Sequence, residues 1–520
     1  MIKKIWIHSS QQKRALFVFS ILVFIRILFS SFIGLADDEA FHWSWSKDLD
    51  WSYFDHPGMV AWLEKGSTML LGDTYWGVRL PSFVCFMASV SLAWYFAYDL
   101  FDEWTAHFVA MMMLTTPLWG WGGYVASPEP TFVLCWLIST MIFWQSIRPD
   151  GNRWSLKKSW ILLGITMGMG INSKLITVLL AAGFGLFLLT SKEHRRILIS
   201  PWPWVGFLIA SLLVTPIFYW NLIHDWPSFR YQFHDRHMGE LPSLDRWMKW
   251  FGVQISFYGP VLYGLILFSV GYAFKNWKDM RLRMLLCLAL PSLFVFYPQP
   301  YFSDYKPHWP GNAHLLLTMI AASYWSAKYQ NGKGRWLTWG QLVFLIPMNL
   351  FFYLPFTYPL LPLAHKALQP NKEWNTTWDL SNEFFGWEEF GSHLLQRQRE
   401  IHAQSGKRPL LGALRYETTA QTWWGTKSAV IMFNWTPAHY TVVQEYRGEL
   451  DNIKGSDALI VTTEKYTDDP LKRNIFETCQ KEEYQTYRSG ILSRTFEIHY
   501  CRNFQGLRNP PIRATGRKLL

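Results

Sequence analysis

The sequence predicts a polytopic α-helical membrane protein with a C-terminal soluble α+β domain, and three observations predict it. Residues 1–358 are a succession of apolar segments of bilayer-crossing length, whereas 359–520 have the mixed composition of an ordinary globular domain. The mean hydropathy of +0.02 over 520 residues averages these two unlike parts. The Lys and Arg behind the net charge of +11 sit in short clusters between the apolar segments, which is a topology signal and not a nucleic-acid-binding patch. There is no internal repeat and no low-complexity tract. No cleavable leader is expected, because the apolar run after the basic residues 1–14 is too long and lacks a small-residue cleavage site.

Eleven apolar spans are assigned, at 15–35, 77–98, 105–124, 130–147, 157–171, 175–190, 202–222, 253–274, 284–297, 311–328 and 336–357. A single helix over 157–190 would be far longer than the ~20 residues a bilayer needs and two helices would each be short; parity decides for two, with the break at Asn172-Ser173-Lys174, because a single crossing would move the later basic loops outside. With the N-terminus cytoplasmic, the inside loops carry 18 Lys and Arg and the outside loops 8, which supports this orientation. The outer face then holds loops 36–76, 223–252 and 298–311, the Ser127-Pro128-Glu129-Pro130 turn, the Lys174 turn and the C-terminal domain 359–520. Cys85, Cys135 and Cys287 lie in spans as small apolar residues. Cys479 and Cys501 form the remaining pair, either a disulfide of an oxidising compartment or two free thiols.

The segment that concentrates chemistry begins where the first span ends, with Asp37, Asp38 and Glu39, and runs through His42, Trp43 and Trp45 to Tyr53-Phe54-Asp55-His56-Pro57-Gly58. A carboxylate partly desolvated at the interface has its pKa raised toward the range of a general base, which singles out Asp38; the bland alternative is a solvated acidic turn within an aromatic belt. Glu129, between two prolines at the head of a span, is either a second site acid or a helix-start carboxylate favoured by the dipole. Lys174 and Arg79 each read as a phosphate-binding cation or as a cation snorkelling at a helix end. Arg26 lies well inside the first span and requires a partner. Asp55-His56, His224-Asp225, His234 to His237 and His308 raise the question of a metal, although no closed Cys/His spacing is present. No phosphate-cradling glycine loop or dinucleotide fingerprint is present, so no nucleotide cofactor is expected.

Taken in order, Asp37-Asp38-Glu39-Ala40-Phe41 to Trp45, Tyr53-Phe54-Asp55-His56-Pro57, Arg79-Leu80-Pro81, Ser173-Lys174, and Trp220-Asn221 with His224-Asp225-Trp226 and Ser228-Phe229 resemble a known superfamily. It is that of the polytopic protein O-mannosyltransferases and lipid A aminoarabinose transferases, matched over about residues 15–330. The resemblance implies the type-C glycosyltransferase (GT-C) fold and transfer of one sugar, with inversion, from a polyprenyl (undecaprenyl) phosphate donor. The acceptor would be a lipid, glycan or protein at the periplasmic face of the bacterial inner membrane. It implies that Asp38, with Glu39 beside it, is the catalytic acid-base position, and that Glu129 falls where many members have a second acid, usually Asp. Lys174 matches the lysine of the family's Ser/Thr-Lys turn and would bind the donor phosphate with Arg79, His56 and Lys306. His56 departs from the family pattern, standing where the aminoarabinose branch has a lysine. Asp55, His224, His234 and His237 are the candidates for a divalent metal ion reported for that branch.

In the C-terminal domain, Pro409 to Tyr416, Ser428 to Phe433, Ala458 to Thr463 and Ile491 to Tyr500 show strand-like patterning between Gly, Asn and Asp turns. No catalytic residue is assigned there; Tyr416, Trp423 and Trp424 read as a packed aromatic core or a glycan contact. The rival function classes are a flippase or transporter of lipid-linked sugars, which would call for paired broken helices in repeated halves, and a ligase joining lipid-linked glycans.

Overall fold

The computed structural model describes residues 10–123, 125–150, 154–234, 241–303, 305–433 and 449–506. In chain order the first helices are α1 (Ser10–Phe32), α2 (Asp37–Lys47), α3 (Met59–Leu71), α4 (Tyr75–Leu100), α5 (Glu103–Thr115), α6 (Pro117–Gly122), α7 (Pro128–Ile147), α8 (Leu156–Ser173) and α9 (Val178–Thr190). They are followed by α10 (Pro201–Leu213), α11 (Thr215–Ile223), α12 (Pro227–Phe233), α13 (Leu244–Tyr258), α14 (Pro260–Lys275), α15 (Met280–Phe296), α16 (Gln299–Phe302), α17 (Gly311–Gln330), α18 (Arg335–Thr357) and α19 (Leu360–Leu368). The C-terminal part holds α20 (Trp387–Ser405), β1 (Leu410–Ala413), α21 (Tyr416–Thr426), β2 (Ile431–Met432), β3 (Ala458–Thr463), β4 (Phe476–Arg488) and β5 (Ile491–Phe504). Two compact units result. One takes its described residues from Met1–Phe32, His56–Val60 and Arg79–Leu350, the other from Ile33–Asp55, Ala61–Val78 and Phe351–Leu520.

In the helical unit, one continuous apolar core runs through α4, α5, α7, α8, α9, α14, α15 and α17. Glycines set its closest approaches: a Cβ on Gly164 of α8 would meet the Gly206 carbonyl of α10 at 2.5 Å, so only small residues let these backbones touch. Four stretches, α4, α7, Met280–Phe302 and α18, are each long and apolar enough to cross a membrane. Counting bent pairs as single spans raises the number to seven among the described residues. Every expected span falls on helix, but eleven crossings are not reached on length and composition: 105–124, 157–171, 175–190 and 311–328 lie outside the seven, and several of the expected spans are interrupted.

Each interruption has a residue that meets its freed polar groups, as an apolar surrounding requires. The expected span 253–274 is corrected to two helices, α13 and α14, bent by 111°. Gly259 turns the chain there with φ +84°, a conformation that favours glycine, and Pro260 opens the next helix. Gln341 bridges the break: its Nε2 donates to the Tyr258 carbonyl at 2.6 Å and its Oε1 accepts the Leu262 N–H at 3.0 Å. The span 202–222 likewise divides at Val214, where the Leu213 carbonyl accepts from Asn172 Nδ2 at 2.7 Å. The span 105–124 divides between Thr115 and Pro117. Arg26 finds the partners it required: its guanidinium donates to the carbonyls of Gly120 and Leu22, each at 3.2 Å, and of Leu114.

In the second unit a mixed five-stranded sheet has the order β2-β1-β3-β5-β4. β1 runs parallel to β2 and β3, and β5 antiparallel to β3 and β4. The four expected strand segments are β1, β2, β3 and β5. β4 was not expected, and its reason is compositional: it is an edge strand with most side chains exposed, Lys481, Glu483 and Gln485 among them, so it lacks an apolar stripe. Cys479 and Cys501 lie directly opposite on β4 and β5 and are disulfide-bonded.

Gln341→Leu should lower the thermal midpoint of the detergent-solubilised protein, since it strands a buried carbonyl and a buried N–H at a cost of about 1–3 kcal/mol each; an unchanged midpoint would show that the break is satisfied by other groups.

Candidate functional site

The helical unit gathers three of the chain's candidate polar side chains. Pro128 occupies the first turn of α7, so Glu129 sits at a helix N-terminus, where the dipole favours a carboxylate. Helix α8 ends at Ser173, and Lys174 leaves it in an extended conformation with φ −154° and ψ 127°. The Ser173 hydroxyl donates to the Pro128 carbonyl at 2.8 Å, which ties the end of α8 to the start of α7. The result is an ion pair between Lys174 and Glu129, with the lysine buried. His308 joins it, its Nε2 lying 3.2 Å from the same carboxylate oxygen, and the charge of His56 also bears on Glu129. Loss of solvent holds the His308 imidazole below its ordinary range against the pull of Glu129.

The other donor-phosphate candidates are placed differently. Arg79 is fully buried in α4 and donates to the Ser30 carbonyl at 3.2 Å. Lys306 is exposed on the segment before α17, and His56 is half-buried. Of the metal candidates, His224 places Nδ1 2.7 Å from the Trp220 carbonyl and packs its ring on that tryptophan. His234 is exposed, Asp55 is half-buried, and His237 lies outside the described residues. Among the described residues no three His, Cys, Asp or Glu side chains are gathered as a metal site.

The helical unit also contains an apolar cavity of about 530 Å³ between α8, α9, α10, α11 and α12. Leu175 and Val178, just after Lys174, line it, as do Leu198 and Pro203 toward the other end of those helices.

In the second unit, α2 opens with the three consecutive acids, and each has a separate fate. Asp37 is buried and held by Gln421, Lys465 and Tyr466. Glu39 is buried and folds back so that Oε2 accepts the Ala36 N–H at 2.9 Å, closing the helix's first turn. Asp38 is exposed, not partly desolvated as the sequence suggested. Its charge reaches Tyr416, whose phenol burial and neighbouring carboxylates hold well above the ordinary range. Helix α2 packs on α21 through aromatic pairs, Phe41 with Tyr416 at 4.6 Å and Trp43 with Trp424 at 5.1 Å between ring centres. Tyr416, Trp423 and Trp424 therefore pack against the acidic helix.

Sequence reasoning missed Glu64. It lies on α3, buried, with both carboxylate oxygens lacking a hydrogen-bond partner among the described residues. Burial first, and the charge of Glu39 second, push its carboxyl well above the usual range. A lone Glu in the run Ala61-Trp62-Leu63-Glu64-Lys65 carries no sign of this. Gln421, Lys465 and Tyr466 were missed as well, since no local pattern marks a contact formed over hundreds of residues.

Residues 55–220 match the family model described as dolichyl-phosphate-mannose-protein mannosyltransferase. A lipid A galacturonosyltransferase, RgtD, of Rhizobium johnstonii is 24% identical over 344 residues, covering 64% of this chain and 67% of that protein. An undecaprenyl phosphate-α-4-amino-4-deoxy-L-arabinose arabinosyl transferase of Aeromonas hydrophila is 24% identical over 254 residues, 46% of this chain and 45% of its own length. The fold is similar to that of ArnT from Cupriavidus metallidurans, with a TM-score of 0.62 at 13% identity over 94% of this chain and 98% of that one. A second structure of ArnT has undecaprenyl phosphate bound, with the same TM-score.

Glu64 yields a test with a definite sign. Its raised folded pKa means that the native state keeps a proton the unfolded chain loses, so stability falls as pH rises from the ordinary carboxyl range toward the folded value. The thermal midpoint of Glu64→Gln should therefore climb relative to the unsubstituted protein between roughly pH 4 and pH 8. Curves that stay parallel over that range would show Glu64 ionised in the fold.

Proposed function

We propose that this chain, which belongs to the protein O-mannosyltransferase and lipid A aminoarabinose transferase superfamily of type-C membrane glycosyltransferases, moves one sugar from undecaprenyl phosphate to lipid A at the outer face of the bacterial inner membrane. The observation that carries the reading is the position of Lys174. The donor is an anionic phosphate on a long apolar chain, and here a buried cation is followed in the chain by residues that line a 530 Å³ apolar cavity. The names of the relatives support the donor and the acceptor. The disulfide between Cys479 and Cys501 supports a periplasmic C-terminal domain, because such bonds persist in oxidising compartments.

In the proposed reaction an acceptor oxygen bonds to the anomeric carbon while the bond from that carbon to the phosphate oxygen breaks, inverting the centre. The acceptor proton passes to Asp38, whose exposure leaves it open to an incoming hydroxyl. Undecaprenyl phosphate departs with the electron pair. Lys174 takes up its charge: an ammonium has three donors, and one is committed to Glu129. Glu129 and His308 then serve to hold Lys174 in place. Arg79, His56 and Lys306 are assigned to the same phosphate, and Glu39 to supporting Asp38 through the first turn of α2. If a divalent metal takes part, Asp55, His224, His234 and His237 are its candidates.

Two substitutions separate the roles. Asp38→Asn should lower sugar transfer to lipid A at least ~100-fold with normal membrane insertion, and Lys174→Met should weaken donor binding roughly 10- to 100-fold, both read by mass spectrometry of lipid A and by donor titration of the purified protein. Full turnover by Asp38→Asn would reject the base assignment.

A further inference from the structure

The surroundings of Asp37 carry an inference about the C-terminal domain. Asp37 Oδ2 accepts from Lys465 Nζ at 3.2 Å and from the Tyr466 hydroxyl at 2.9 Å. Oδ1 accepts from Gln421 Nε2 at 3.1 Å, and that amide also donates to the Leu35 carbonyl at 2.8 Å. The Asp37 N–H donates to Glu383 Oε1 at 3.0 Å, and Lys465 Nζ donates to Glu383 Oε2 at 2.8 Å. The Arg415 guanidinium lies 4.8 Å from the Tyr466 ring centre and is held by Glu417 at 3.0 Å. Flanked by two carboxylates, the Lys465 ammonium stays charged far above its ordinary range.

Three separate parts of the C-terminal domain, at Glu383, Gln421 and Lys465-Tyr466, thus converge on one residue at the start of α2. Lys465 and Tyr466 lie in the bend just after β3, a strand whose six residues are all buried. Successive residues of a helix are turned by about 100°. With Asp37 clamped from outside and Glu39 closing the turn, the rotation of α2 is fixed, and Asp38 is left as the exposed acid of the three.

We infer that Lys465 and Tyr466 are positioning residues of the glycosyl transfer, acting through Asp37 to aim Asp38; this rests on the reading of Asp38 as the acceptor's base. The C-terminal domain is then a working part of the enzyme and not an appended module.

The test uses the full-length purified protein with an undecaprenyl phosphate sugar and lipid A. Lys465→Met and Tyr466→Phe should each lower kcat about 10- to 100-fold, the scale on which a small misplacement of a reacting group acts, with the donor KM unchanged. Lys465→Arg, which keeps the charge, should recover most of the loss. Arg397→Gln removes an ion pair in the same domain, in which Arg397 Nε donates to both carboxylate oxygens of Glu482 at 2.9 and 3.0 Å, and should leave kcat as it was. Should Lys465→Met fail to fold, Tyr466→Phe, which removes one hydroxyl, decides alone. Wild-type kcat in Tyr466→Phe and Lys465→Met, or an equal fall in Arg397→Gln, would overturn the inference. Asp38→Asn run alongside separates the two layers: an active Asp38→Asn refutes the base itself, whereas an inactive Asp38→Asn beside wild-type Lys465 and Tyr466 variants refutes only the positioning.

Discussion

Three adjacent carboxylates behind an apolar helix must each be solvated, paired or neutralised, and the way the fold meets that demand organises the second unit. Asp37 is paired, Glu39 is spent on the backbone at the start of its own helix, and Asp38 is given to solvent. Each solution draws in a different part of the chain. Pairing Asp37 requires Lys465, Tyr466 and Gln421, which explains why 33–55 and 61–78 form one compact unit with residues after 350. Glu64, without a partner among the described residues, has its carboxyl pushed well above the usual range, first by burial and then by the charge of Glu39.

The helical unit obeys the matching rule for backbone groups. Where an apolar helix breaks, the liberated carbonyl or N–H is claimed by a side chain from elsewhere: Gln341 at Gly259, Asn172 at Leu213, Arg26 at Leu114 and Gly120. Asn172 does this two residues before Lys174, and Ser173 between them donates to the Pro128 carbonyl at the start of α7. The same turn therefore mends one helix break, ties α8 to α7 and sets the lysine against Glu129. Structure and proposed chemistry share these residues.

Much of this was legible from local pattern, and what was not depended on distance. The break at Lys174 followed from keeping the later basic loops on one side of the membrane, and the acidic segment stood out because three acids do not ordinarily end a membrane helix. The strands β1, β2, β3 and β5 showed themselves by apolar runs, but β4 did not, because it is an edge strand whose Lys481, Glu483 and Gln485 face solvent. The bend between α13 and α14 was written in Gly259-Pro260 and passed over in favour of an unbroken apolar span. The pairing of Lys174 with Glu129 and of Asp37 with Lys465 could not be read at all, since nothing in either neighbourhood encodes the partner. Arg26 was an intermediate case, in which the need for a partner was evident and its identity was not.

The central claim is that the bond between sugar and carrier is broken here and remade on an acceptor. It is tested most directly by purified protein in vesicles with lipid A and undecaprenyl phosphate sugar labelled separately in the sugar and in the prenyl chain. The sugar label should appear on lipid A in step with an equal amount of free undecaprenyl phosphate. A sugar label that remains joined to its prenyl carrier, even while that carrier changes leaflet, would contradict it.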